Sequence, residues 1–142
     1  MAPLIHASKV AVRYGETDQM GIAHHSVHWM WFEIGRTDFL KALGFPYAEL
    51  EAQGVLMAVL DVTCRYRASV VYDEELTVRT RLTDVRRLKV TFEYDLVKPD
   101  GRIAAHATTV LGCITREGRP SPLPEPVLQA LRGVLTPLVE PS

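Results

Sequence analysis

The sequence predicts an α+β fold in which an antiparallel β-sheet wraps a long central helix. Three observations carry that expectation. Apolar residues run from Val27 to Leu43 without strand-like alternation, later segments alternate apolar and polar residues, and Lys98-Pro99-Asp100-Gly101 is a strong turn signal between the last two of these. The elements follow in order. Residues 4–14 alternate, with Val10, Val12 and Tyr14 against Lys9 and Arg13, as in a half-buried strand. The segment YGETDQMGIAHHS has no apolar period and carries Gly15, Gly21 and several side chains that bond locally to backbone, which predicts a loop.

Trp29, Trp31, Phe32, Ile34, Phe39 and Leu40 then cover most of a helix surface, and Gly44 supplies its stop. A helix apolar over so much of its circumference needs a broad cover, which a curved sheet provides. Gly35 within that helix costs about 1 kcal/mol relative to Ala and signals close backbone approach. Phe45-Pro46 opens a shorter helical piece through Ala52, closed by Gly54. Strands follow at residues 56–67, 75–82, 90–96 and 103–116, the last two as an antiparallel hairpin. The Pro-rich link 120–126 leads to a short amphipathic helix carrying Val127, Leu128, Leu131, Val134 and Leu135. An open sheet edge is most simply covered by a second copy, so a homodimer or homotetramer is expected.

Composition narrows the function classes. The 142 residues are 47% apolar and 23% charged, which suits one globular domain over residues 1–142. Sixteen basic against 17 acidic residues leave a net charge of −1, giving no general pull toward nucleic acid or membrane. Cys64 and Cys113 are far apart in no ligand-like spacing, and no long apolar segment follows a basic start. A cytoplasmic protein with free thiols is the expectation.

Candidate chemistry concentrates before the long helix, in Glu16, Asp18, Gly21, His24, His25 and His28. A helix N-terminus leaves about four unpaired N–H groups and a partial positive charge, so it can hold a developing oxyanion without a basic side chain. A nearby carboxylate could attack the same carbonyl or activate water against it. On the residues alone Asp18 reads first as a turn or capping residue. His25 reads as a surface residue, an orienting donor or a general acid. His24 and His28, spaced i and i+4, could share a metal if Asp18, Glu16 or a second chain supplied a third ligand. No Ser nucleophile elbow, phosphate-binding glycine loop or paired-Cys motif occurs. Arg86, Arg87 and Lys89 are either a solvated turn or a contact for phosphates.

The segment VRYGETDQMGIAHHSVHWMWFEIGRTDFL, with Tyr14, Asp18, Gly21, His25, Glu33 and Arg36 at its marked positions, resembles the 4-hydroxybenzoyl-CoA thioesterase-like hotdog superfamily. The likeness continues through RYRASVVYDEELTVRTRLTDVRRLKVTFEYDLV. It implies a hotdog fold, active sites between two subunits, and hydrolysis of acyl-CoA or acyl-carrier-protein thioesters. In that reading Asp18 is the catalytic nucleophile or general base, and a backbone N–H near Gly21 to His25 polarises the carbonyl. Arg86, Arg87 and Lys89 would meet the phosphates of coenzyme A, which enters as part of the substrate, with no metal or other cofactor required. A thioester suits so small a catalytic set, because its carbonyl is poorly resonance-stabilised and its thiolate leaves easily. Glu33 and Arg36 are expected to pair structurally on the helix. A non-catalytic acyl-CoA-binding module and a small metal-binding protein are the rival readings.

Overall fold

The computed structural model describes residues 3–137. Strand β1 (Ile5–Ala11) leads through a single 3-10 turn at Tyr14–Glu16 to helix α1 (Val27–Ala42), and a short helix α2 (Tyr47–Ala52) follows. Strands β2 (Leu56–Tyr66), β3 (Glu75–Val85), β4 (Lys89–Val97) and β5 (Ile103–Ile114) come next, and helix α3 (Glu125–Gly133) closes the order. The strands form one sheet in the order β1-β3-β4-β5-β2, with every pairing antiparallel. The α+β class and the antiparallel sheet are as predicted, with element ends moved by a few residues, but the helices are short and the expected long central helix is not borne out.

Helix α1 has 16 residues and ends where Gly44, at a φ of +99°, turns the chain back. Its buried positions His28, Trp31, Phe32, Gly35, Phe39 and Leu40 fall at the spacing of one helix face. That face meets Leu76, Val78, Phe92, Tyr94 and Leu96 on the inner side of the sheet. The sheet covers only this side, so Met30 and Ile34 remain exposed on the other. Gly35 explains the closeness of the packing. A Cβ there would lie 2.4 Å from Thr80 Oγ1 and 2.8 Å from Val78 Cγ1.

Strand β2 departs from the expected one-face-buried pattern. A bulge between Val59 and Asp61 shifts its register, and Leu60 lies over Gly112 rather than joining the alternation. Val59, Val62 and Tyr66, opposite the core positions Leu111, Thr109 and Ala105, are nevertheless exposed. The physical reason is position: β2 is an edge strand, and α1 meets it only at its Tyr66 end.

On the outer sheet face, β3, β4 and β5 share a charged cluster. Arg81 donates to Asp95 at 2.9 Å and approaches Glu93 at 3.4 Å, while His106 lies 2.7 Å from Asp95 and 3.3 Å from Glu93. Partial burial would raise the Asp95 pKa, but the bonds from His106 and Arg81 outweigh it and hold the carboxyl below its ordinary value. The unfolded chain therefore binds the proton first as pH falls. The contribution of Asp95 is complete above about pH 4 and is lost as pH drops through the lower folded value. Asp95→Asn should lower stability by about 1–2 kcal/mol at neutral pH, and the gap in melting temperature to the unmodified protein should close in acid. A gap that widens in acid would contradict this sign.

Candidate active site

The acidic loop is a tight hairpin closed by a bridge between Thr17 and Ala23. Asp18 is exposed, and its Oδ1 accepts from the amides of Met20 at 2.8 Å and Ile22 at 3.3 Å. The turn reading of Asp18 is thus satisfied by one oxygen, and Oδ2 has no hydrogen-bond partner among the described residues. Gly21, at a φ of +76°, gives its amide to the Asp18 carbonyl at 3.0 Å. That amide is spent on the turn.

The free amides lie later. Ala23 N–H goes to the Val70 carbonyl and His24 N–H to Glu16, while Val27 and His28 close the first helical turn onto the His24 and His25 carbonyls. Between them, His25 and Ser26 have no acceptor for their amides among the described residues. Two successive unpaired N–H groups at the leading end of α1 can hold an oxyanion.

A cavity of about 310 Å³ opens beside them, walled by Ile22, His25, His28, Tyr66, Ser69 and Val70. The 66–74 segment is fixed by the Ala23 bond to Val70 and by Lys98, which donates to the Ser69 carbonyl and pairs with Glu74 at 3.1 Å. His28 is buried against Trp31, Phe32 and Tyr66, and its Nδ1 lies 3.3 Å from the His24 carbonyl. Burial pushes its pKa down, outweighing the backbone bonds that favour the cation, and so favours the neutral ring. Tyr66 donates its hydroxyl to the His25 carbonyl at 3.2 Å. Partial burial, with Cys64 beside it, pushes that phenol up to about 12.

Other expectations fare differently. His24 and His28 do not gather a third ligand: among the described residues no three His, Cys, Asp or Glu side chains come together as a metal site. Glu33 and Arg36 form no ion pair with each other among the described residues, which corrects the expected structural pairing. Arg36 is half-buried and Glu33 exposed, and both line a small cavity with Thr37, Leu40, Tyr47 and Met57, while the buried Tyr94 hydroxyl bonds to Thr109 at 2.7 Å.

Arg86, Arg87 and Lys89 do come together, around an open groove of about 490 Å³ with Thr91 and Val110 on the outer sheet face, and Arg86 pairs with Asp84 at 2.9 Å. They sit at the opposite end of the sheet from Asp18. The acidic loop leaves β1 beside Glu75, at the Val97 end of β4, whereas the cations flank Lys89. The 9 residues of β4 separate those ends, roughly 26 Å at the usual rise. One chain therefore does not unite the cations with the acid.

Residues 12–131 match the family model described as the thioesterase-like superfamily. The chain belongs to that superfamily. The Bacillus subtilis protein YneP, named for a candidate acyl-CoA thioesterase activity, is 38% identical over 115 residues, 80% of this chain and 83% of that protein. The crystal structure of TT1821 from Thermus thermophilus superposes with a TM-score of 0.88 at 34% identity, covering 94% of this chain and 99% of that one. A Staphylococcus aureus DHNA-CoA thioesterase gives a TM-score of 0.84 at 30% identity, covering 98% and 100%. The five-stranded antiparallel sheet with α1 on one face is the hotdog architecture of these thioesterases. Among the described residues no helix is long and apolar enough to cross a membrane.

Tyr66 carries no functional signal in the sequence, where it reads as an ordinary apolar position at the end of an alternating strand. His28 reads from the sequence only as a candidate metal ligand. Nothing in local periodicity marks either, because both meet the helix start through tertiary packing.

Proposed function

We propose that the protein hydrolyses acyl-CoA thioesters, or acyl groups on a carrier protein, to free acid and thiol. The observation that carries this reading is the pair of unpaired amides at His25 and Ser26, in a thioesterase-family chain, next to a loop whose Asp18 keeps one carboxylate oxygen uncommitted. The thioester oxygen accepts from the two amides, which stabilise the charge that develops as the carbonyl carbon becomes tetrahedral. Asp18 acts on the opposite side. As base it takes a proton from the attacking water; as nucleophile it forms a mixed anhydride that water then opens. In both routes the C–S bond breaks and coenzyme A leaves as thiolate.

The working unit is a homodimer. Exposed Val59, Val62 and Tyr66 on the edge strand β2, with Met30 and Ile34 on α1, form the apolar surface a second copy would cover. Antiparallel pairing of β2 with its counterpart reverses the second sheet, so the Arg86 end of one subunit comes alongside the Asp18 end of the other. That arrangement lets Arg86, Arg87 and Lys89 serve the phosphates of a substrate bound at the neighbouring acid. Val62→Glu should therefore convert the dimer to a monomer and abolish activity, as read by light scattering and by assay. An active monomer of the unmodified protein would overturn the dimeric unit.

Thiol release from a panel of acyl-CoAs, followed with a thiol-reactive dye, tests the reaction class. Turnover supports hydrolysis. Saturable binding without thiol release would instead favour a non-catalytic acyl-CoA-binding module.

A further inference from the structure

We infer that His28 and Tyr66 are positioning residues that hold two successive peptide groups, so that the amides of His25 and Ser26 present themselves together to one acyl oxygen. This inference rests on the thioester-hydrolase reading and adds to it the side chains that shape its oxyanion site.

In a trans peptide the C=O and N–H are coplanar and point in opposite directions, so fixing the carbonyl of one residue fixes the amide of the next. The His24 carbonyl shares a peptide with the His25 amide, and the His25 carbonyl with the Ser26 amide. Those two carbonyls are the ones the rings reach, His28 Nδ1 at 3.3 Å from the first and Tyr66 hydroxyl at 3.2 Å from the second. Each carbonyl also accepts a first-turn amide, from Val27 at 3.1 Å and His28 at 3.3 Å. Facing a carbonyl, His28 Nδ1 must carry its hydrogen.

The rings are themselves braced. They meet edge to face with centroids 4.9 Å apart, and His28 packs on Trp31 at 5.0 Å. Tyr66 stands on the edge strand, so the bond to His25 spans from the sheet to the start of α1. Beyond orientation, a donor on each carbonyl polarises the peptide and makes the opposite N–H a stronger donor. Both effects matter most when charge accumulates on the acyl oxygen, in the transition state rather than on binding.

The test uses the full chain, its best acyl-CoA substrate, and the variants Tyr66→Phe and His28→Phe. Tyr66→Phe should lower kcat about 10-fold with KM within about twofold, and in amide NMR the Ser26 resonance should move most. His28→Phe should do the same through the His25 resonance. Should His28→Phe fail to fold, Tyr66→Phe decides the matter, since that side chain is partly exposed. Full kcat with unmoved amides, or a rise in KM alone, would overturn the inference. If Asp18→Asn is inactive while Tyr66→Phe keeps full kcat, the inference fails and the hydrolase reading stands. If the unmodified protein turns over no acyl-CoA, the hydrolase reading fails, and the amide shifts still report whether the two rings hold the peptides.

Discussion

Asp18→Asn should cut acyl-CoA turnover by about two to four orders of magnitude and leave the melting temperature nearly unchanged. The separation of the two effects follows from how the loop uses this side chain. Its Oδ1 accepts from Met20 at 2.8 Å and Ile22 at 3.3 Å, and an Asn oxygen can accept both bonds, so the hairpin survives. An amide can neither attack a thioester nor take a proton from water at neutral pH, so the chemistry does not. Asp18→Ala is a poorer test because it removes the acceptor of the turn along with the carboxylate. Purified Asp18→Asn that releases thiol as fast as the unmodified protein would remove Asp18 from the reaction.

The second large effect is on stability. Gly35→Ala gains about 1 kcal/mol of helix propensity, yet the new methyl would lie 2.4 Å from Thr80 Oγ1 and 2.8 Å from Val78 Cγ1, both on fully buried side chains. Neither neighbour is the free end of a flexible chain. Overpacking of this kind costs about 3 kcal/mol, so the net loss should be about 2 kcal/mol and the melting temperature should fall by roughly 6–8 °C. Thr80 also carries a buried hydroxyl with no hydrogen-bond partner among the described residues. Thr80→Ala removes that orphan and opens space for the methyl, so the double variant should recover more than half of the loss. A rise in melting temperature for Gly35→Ala alone would mean that propensity wins and the contact is not tight.

Much of the fold is legible in the sequence because its signals are local. Alternation marks β3 and β4, Gly44 marks the end of α1, and Gly35 announces a close approach that Thr80 and Val78 explain. Strand β2 is the instructive exception. Its alternation reads as burial, but alternation reports only which residues share a face, and what covers that face depends on where the strand lies in the sheet. The acidic loop is legible as a chemical region and not in its wiring: Gly21 spends its amide on a turn, and the amides without an acceptor among the described residues come four and five positions later, at His25 and Ser26. The cations at Arg86 to Lys89 are visible as a cluster, yet their distance from Asp18 appears only once the strand order is known. Contacts between residues far apart in sequence, such as Tyr66 with His25, leave no periodic trace at all.

A crystal structure with a ketone analogue of an acyl-CoA, in which a methylene follows the sulfur and prevents hydrolysis, tests the central claim most directly. The account predicts two chains joined along β2, the ketone oxygen within about 3 Å of the His25 and Ser26 amides, and the Asp18 carboxylate on the far side of the carbonyl carbon. An analogue bound with its carbonyl away from those amides, or an Asp18 side chain left in bulk solvent at every interface, would contradict it.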